Sequence, residues 1–510
     1  MKKTALLLMI VIIASKVFGF AREITLAHFY GTSQISDAFL ISLTIPAVIF
    51  SFFGTAIKTT YIPLSSEILK DKKEKEANLF TSNIITTLMI VCTIIVVVVQ
   101  LFPEAVVTLF ARSFEGESMY YAVKFTRITI LSIYFTAMIH VLNGYLNLKN
   151  SFLAPELIGI PMSLILMLTM LLSSIFSPDL LGYGKIIAVI VQLLVLLPFL
   201  VKKGFKYTPT FNLKDPRLQK LAFLTMPVMF GTSINQINKL VDRNLASEII
   251  GGVSALNYAY RLNGFINGIF VISIATVMYP MIARMASDGD LKGLKKTLSE
   301  SVVGISLLVF PATVGAMIFA EPIIDFLFGR GEFGLEAIKL TSTALFFYSI
   351  GMVAFGMREI LSRVFFSLQD TKTPMVNASI AVGLNVVLNI ILFRFLGIGG
   401  LALATSVSAI FCSALLIFSL KKKIGRLGMK NIFISFGKIV FAACLMGVVA
   451  KVVFELATRV LSINLSLIIS IGVGALVYFG IIFCMKINEV DVLSDALKDK
   501  LKGRLNGINF

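Results

Sequence analysis

The sequence predicts an all-α, polytopic membrane protein of about fourteen transmembrane helices. Two pseudo-symmetric six-helix lobes would be followed by two further C-terminal helices. Three observations carry that reading. The 510 residues are 57% hydrophobic and 15% charged, with mean hydropathy +0.91 and no Trp, whereas soluble domains carry about 25% charged residues. The apolar residues fall in runs of about 20, the length that crosses a ~30 Å hydrocarbon layer. Basic residues collect in every second connection between those runs. A soluble enzyme, a secreted disulfide scaffold and a disordered chain are excluded. Continuously apolar stretches such as 85–101 lack the alternation of an outer-membrane barrel.

Taken in order, the first span covers 4–29, apolar up to Lys16, and the second covers 35–64, from Asp37 to its closing Pro63. Spans three to six are the runs 79–111, 121–147, 152–175 and 182–202. Spans seven to twelve are 218–248, 252–285, 298–321, 336–367, 373–396 and 398–420, and the last two are 432–455 and 461–486. Several exceed the minimum length, which predicts tilted or bent helices.

Loop charge sets the expected orientation. Lys70, Lys72, Lys73 and Lys75 follow span two, and Lys202, Lys203, Lys206, Lys214, Arg217 and Lys220 separate spans six and seven. Arg284, Lys292, Lys295 and Lys296 follow span eight, and Lys421, Lys422, Lys423 and Arg426 follow span twelve. The alternate loops, such as 32–36 and 246–252, carry almost none. Basic loops stay cytoplasmic, so both termini are expected inside a plasma membrane. This distribution also accounts for the net charge of +18 without a nucleic-acid partner, since no basic, aromatic-interleaved soluble module is present. The first 21 residues also read as a secretory signal ending at Gly19-Phe20-Ala21; the preferred reading is an uncleaved first helix.

The expected division is a 1–202 N-lobe, a 203–220 basic linker, a 221–420 C-lobe, a helix pair within 421–486 and a 487–510 cytoplasmic tail. The lobes resemble each other. Asp37-Ala38-Phe39, Gly54-Thr55-Ala56 and Tyr61-Ile62-Pro63 in span two parallel Ser254-Ala255-Leu256, Ile274-Ala275-Thr276 and Met278-Tyr279-Pro280 in span eight. A shift of 217 residues superimposes Pro63 and Pro280. A shift spanning six helices preserves orientation, so the repeat is parallel, an arrangement of transporters that rock about a central site.

Ionisable groups inside spans cost ~2.5–3.5 kcal/mol each on insertion scales, so each needs a reason. They are Lys16, Arg22 and Glu23 in span one, Asp37 and Lys58 in span two, Asp242 and Arg243 in span seven, and Arg261 in span eight. Arg22, Glu23 and Asp37 lie near span ends, where snorkelling is the competing account. Lys16, Lys58 and Arg261 lie deeper. A cationic cavity implies an anionic cargo, and pyrophosphate suits Arg forks and Lys point charges.

A second set comprises Asn385 and Asn389, four apart on one helix face, Thr405, the Leu401 carbonyl and Asp242. These all-oxygen donors suit Na⁺ as a coupling ion; the alternative is an Asn pair bonding a neighbouring helix. The cysteines (Cys92, Cys412, Cys444, Cys484) sit in apolar runs as small packing residues, and His28 and His140 are too scattered for a metal cluster. No hydrolase triad, zinc motif or P-loop occurs, and Gly329-Arg330-Gly331 lacks the Walker ending. No cofactor and no enzymatic activity are expected.

The motifs Ser15-Lys16-Val17-Phe18-Gly19-Phe20-Ala21-Arg22-Glu23, Phe29-Tyr30-Gly31 and Asp37-Ala38-Phe39 resemble the opening of the MurJ (MviN) lipid II flippases. Gly144-Tyr145-Leu146-Asn147, Tyr258-Ala259-Tyr260-Arg261-Leu262, 327–333 and Leu368-Gln369-Asp370-Thr371-Lys372-Thr373-Pro374 extend the resemblance over most of the chain. It implies a fourteen-helix exporter of the MOP (multidrug/oligosaccharidyl-lipid/polysaccharide) superfamily, with a MATE-like fold. Such an exporter turns undecaprenyl-pyrophosphate-linked peptidoglycan precursor to the outer leaflet of the bacterial plasma membrane. The family's essential cations fall on Lys16, Arg22 and Arg261, its acidic partner on Asp37, and its lipid-tail groove on roughly 432–486. Its sodium-site residues fall on Asp242, Asn385, Asn389 and Thr405, with Asn389 in place of a carboxylate.

One departure stands out. Phe50-Ser51 and Gly54-Thr55-Ala56 replace an Arg pair and an A-E-G turn; Lys58, eight residues past Phe50, is on roughly the same face and is expected to restore the charge. The expected partners are therefore lipid II or a related polyprenyl-pyrophosphate glycan, and membrane lipids, with the protein as a monomer. A drug or ion antiporter of the same superfamily is the nearest alternative. An intramembrane glycosyltransferase would need a catalytic acid in a substantial outer loop, where Glu321, Asp325, Glu332 and Glu336 are scattered.

Overall fold

The computed structural model describes residues 2–70, 74–425 and 429–485. The expected 487–510 tail, Lys72, Lys73, Arg426 and the side chain of Lys58 lie outside the described residues. Among those described, every regular element is an α-helix. The first half runs α1 (Lys2–Tyr30), α2 (Gln34–Lys70), α3 (Glu74–Leu101), α4 (Pro103–Phe110), α5 (Gly116–Thr129), α6 (Ser132–Leu148), α7 (Leu153–Leu157), α8 (Gly159–Ile175) and α9 (Leu180–Lys202). The second runs α10 (Pro216–Ala246), α11 (Gly252–Ser287), α12 (Leu291–Ile318), α13 (Ala320–Phe328), α14 (Leu335–Ile350), α15 (Met352–Ser367), α16 (Lys372–Leu396) and α17 (Ile398–Ile424). Then come α18 (Met429–Ala457) and α19 (Ile463–Cys484).

Among the described residues nine spans are long and apolar enough to cross a membrane, and eleven if the bent pairs α5–α6 and α14–α15 each count once. Helices α1, α10 and α11, of 29, 31 and 36 residues, are long enough to cross but fall outside that set. They carry Lys16, Arg22, Asp242, Arg243 and Arg261, so the count of fourteen holds only if these charged helices cross as well.

The breaks recur in both halves. A long helix is followed by a short one, α4 or α13, and then by a pair bent by 47°. Pro103 opens α4 because it has no N–H to continue α3, and a shift of 217 places it on Ala320, the first residue of α13. Helix starts follow capping chemistry: Asp215 accepts from the Arg217 N–H ahead of Pro216, and Asp290 from the Gly293 N–H.

Packing divides the chain into two compact units, Met1–Tyr258 with Phe328–Leu340, and Ala259–Leu327 with Thr341–Phe510. This division follows contacts and is drawn at different residues from the sequence repeat. In the first unit Tyr61 is fully buried against Phe80 and Leu142, and its hydroxyl meets Thr81 Oγ1 at 2.8 Å. A Cβ at Gly144 would approach the Tyr61 ring to 2.9 Å, which explains the glycine of that motif by close packing. The 203–220 segment is pinned to α3: the Asn83 amide donates to the Asn212 carbonyl (2.9 Å) and accepts from its N–H (2.8 Å).

In the second unit Met352, Ile360, Val364, Phe365, Cys412 and Leu416 form the core. Helices α18 and α19 join α12 through Ile439, Ala443, Met446 and Tyr478, whose hydroxyl donates to the Leu307 carbonyl at 2.8 Å. Cys92 and Cys412 are buried as packing residues, but Cys444 and Cys484 are exposed. In apolar helices an outward thiol is as acceptable to lipid as an alanine, so apolarity did not imply burial.

The turn between α15 and α16 explains the Leu368–Pro374 motif. Gln369 adopts φ +56°. The Asp370 carboxylate accepts from the Thr373 N–H (3.0 Å), its hydroxyl (2.8 Å) and Lys423 Nζ (2.6 Å). The Lys423 and Thr373 contacts hold the Asp370 carboxyl down to about 2. A lowered folded value stabilises above the ordinary Asp value of about 3.9 and is lost as pH falls through the folded one. Asp370→Asn is therefore expected to lower Tm in detergent at pH 7. The gap from wild type should close between about pH 4 and pH 2; a gap that does not change with pH would refute the clamp.

Candidate functional site

Helix α1 carries the first cluster. Glu23 is 4% exposed, so it is held inside protein and does not snorkel. Its Oε1 accepts from Arg22 Nη2 at 2.6 Å and its Oε2 from the Asn257 amide at 3.0 Å. Asn257 Oδ1 in turn accepts from Arg243 Nη2 at 3.2 Å, while Arg243 Nη1 donates to the Val253 carbonyl at 2.9 Å. Helices α1, α10 and α11 thus share one connected network in which two guanidiniums flank one carboxylate. Charge-assisted bonds of this kind are strong inside a low-dielectric interior. Further along α1, Lys16 is half-buried, with Glu156 of α7 in electrostatic reach.

Asp37 plays a different part. It is 1% exposed, and its two oxygens accept from the Gly251 N–H (2.8 Å), the Ser254 N–H (2.7 Å) and the Ser254 hydroxyl (2.6 Å). It caps α11 from α2, placing a negative charge where helix dipole and orphan N–H groups favour one. Asp37 and Ser254 are 217 residues apart, the same offset that superimposes Pro63 and Pro280, so equivalent positions of the repeat meet. Around them the backbone packs without space. Gly31 (φ +51°) lies against the Glu332 carbonyl, and Gly251 (φ +75°) against that of Thr32. The Glu332 N–H donates to the His28 carbonyl at 2.9 Å, and the Tyr258 hydroxyl to that of Gly31 at 3.1 Å. A side chain at either glycine would strain the backbone and collide.

In the second unit Arg261 is exposed on α11. The Asn389 amide donates to Asn385 Oδ1 at 2.9 Å, the Asn385 amide to Thr405 Oγ1 at 3.4 Å, and that hydroxyl to the Leu401 carbonyl at 3.0 Å. These four groups are linked in one chain of hydrogen bonds across α16 and α17, and none is charged. Asp242, in the other unit, accepts from the Asn238 amide at 3.4 Å. As a Na⁺ site the α16–α17 set lacks the carboxylate that a hard cation favours, so no step of transport is routed through a metal. Asn389→Asp is expected to supply it: Na⁺ in place of K⁺ should raise Tm in the variant by several degrees more than in wild type. Equal responses would remove the site.

The family model for "Lipid II flippase MurJ" matches residues 26–472. A probable lipid II flippase MurJ of Vibrio cholerae serotype O1 is 30% identical over 433 residues, covering 81% of this chain and 82% of the relative. The chain belongs to the lipid II flippase MurJ family. A Rickettsia prowazekii member is 26% identical over 96% of this chain and 98% of its own. The solved structure titled "Lipid II flippase MurJ, inward closed conformation" matches with a TM-score of 0.83, 26% identity, and coverage of 96% and 100%. An inward-facing MATE transporter of the MOP superfamily matches at TM-score 0.65 and 15% identity, over 81% of this chain and 95% of its own, a likeness of fold alone. The chain is a multi-pass protein of the bacterial inner membrane.

Against its family the span-two departure has a structural content. Phe50 is buried, its ring 4.9 Å from that of His140, and it also covers Gly54. An aromatic contact occupies the position where the resemblance led an arginine to be expected. Sequence reasoning flagged Arg22, Glu23, Asp37 and Arg243 as charges but missed Asn257 and Ser254. These neutral residues carry no excess of charge, and their partners lie 234 and 217 residues away.

Proposed function

We propose that the chain turns lipid II, the undecaprenyl-pyrophosphate-linked peptidoglycan precursor, from the inner to the outer leaflet by alternating access. Family membership supports the activity, and the Arg22–Glu23–Asn257–Arg243 network carries the reading of how the cargo is held. Arg22, with Lys16 and Arg261 and assisted by Lys58, engages the pyrophosphate. Glu23 competes for Arg22 when no cargo is bound, so loading exchanges a carboxylate for a phosphate on the guanidinium and leaves Glu23 to its Asn257 hydrogen bond. Asp37 holds the head of α11 on the outer side until the carrier changes state, with both termini cytoplasmic, Na⁺ at most a weak coupling ion and the carrier acting as a monomer.

The burial of Phe50 favours one second reading, a different polyprenyl-pyrophosphate glycan, because it removes a cavity cation. One experiment separates them. Expression in cells depleted of their own lipid II flippase is expected to restore growth and shape. A well-expressed wild type that fails to rescue would move the cargo to another glycan.

A further inference from the structure

We infer that Lys185 of α9 is a second pyrophosphate-binding cation, working beside Arg22 and selecting a diphosphate over a monophosphate headgroup; this rests on the functional reading above. Helix α9 has two distinct faces. Leu181, Ala188, Val189 and Leu196 are buried, whereas Tyr183, Ile187 and Leu194 are 52%, 47% and 55% exposed. Lys185 follows Leu181 by four residues and precedes Val189 by four, which puts it on the protein-facing stripe. It is partly buried there. A Cβ at Gly184 would collide with the Thr169 side chain, so α9 lies tight on α8 and is not free to turn Lys185 towards lipid.

The charged neighbour in electrostatic reach of Lys185 is Arg22, a like charge. Arg22 has Glu23 as its carboxylate, and Lys16 has Glu156 in reach. Among the described residues no carboxylate or hydrogen-bond acceptor lies within bonding distance of Lys185 Nζ. Arg22 is eight residues from the end of α1 and Lys185 five from the start of α9, roughly 12 and 8 Å in from the expected outer side at 1.5 Å per residue. Two cations at similar depth, one without an acid, form a site that an anion completes. A single phosphate suffices for the Arg22 fork; a second phosphate gives the ammonium its own partner.

The test uses the full chain in nanodiscs, with a polyprenyl pyrophosphate and a polyprenyl monophosphate as probes. Wild type is expected to bind the diphosphate lipid more tightly. Lys185→Gln should weaken diphosphate binding by roughly 10-fold and monophosphate binding by less than about 3-fold, and Lys185→Arg should retain the preference. Lys185→Gln with the wild-type preference intact overturns the inference alone, as does equal loss of both lipids. A folded wild type that binds neither lipid overturns the functional reading as well, and is told apart by the wild-type arm.

Discussion

Replacing Arg22 with Ala is expected to abolish rescue of cells depleted of their own lipid II flippase, while Arg22→Ala/Glu23→Ala regains stability without regaining rescue. The single change leaves the buried Glu23 carboxylate with its Asn257 hydrogen bond but without the guanidinium 2.6 Å away. Removing one member of a buried pair costs on the order of 3–5 kcal/mol, whereas removing both is often close to neutral. Tm should therefore fall in the single variant and recover in the double. Rescue should be lost in both, because neither offers a fork to the pyrophosphate. Arg22→Lys keeps the charge without the bidentate geometry and is expected to rescue partially. Arg261→Ala should lose rescue as well. Growth at the wild-type level with Arg22→Ala at wild-type abundance would remove Arg22 from the binding role.

How far the sequence reached is visible in particular helices. The span read as 218–248 is α10, Pro216–Ala246, and that read as 252–285 is α11, Gly252–Ser287. Boundaries were legible because polar runs, Asp caps and glycines mark them. Direction within a span was not. The run 336–367 is bent by 47° at Gly351 and the run 121–147 by the same angle after Thr129, yet hydropathy registers apolarity and is blind to a turn between two apolar helices. Pro103 was the one local signal that 79–111 would break. At the site, charge in an apolar run identified Arg22, Glu23 and Asp37, because the insertion penalty makes such residues conspicuous in any linear reading. What each one touches was not legible. Asp37 could have been a snorkelling end-member, an ion-pair partner or a helix cap, and only the fold brings Gly251 and Ser254 to it. The repeat offset of 217 held the clue, since it equals the separation of Asp37 and Ser254.

That cap makes Asp37→Ala the second large effect. The substitution strands two backbone N–H groups and a hydroxyl that now donate to one carboxylate at 2.6–2.8 Å in a fully buried place. Loss of an N-cap with buried donors left unmade amounts to about 3 kcal/mol. It falls on the conformation in which the heads of α2 and α11 meet, so it moves the population towards states in which they part, by roughly 100-fold. Asp37→Asn should fall between, since its oxygen can still serve Ser254 while its NH₂ opposes the Gly251 N–H. The shift can be read at Thr32, whose carbonyl packs against Gly251. With Cys444 and Cys484 replaced by Ser, Thr32→Cys should react slowly with a membrane-impermeant maleimide, and adding Asp37→Ala should speed labelling at least tenfold. Rescue should fall at the same time, because a carrier that cannot hold its outer side together no longer alternates. Unchanged labelling alongside lost rescue would mean that Asp37 acts on the cargo itself and not through the head of α11.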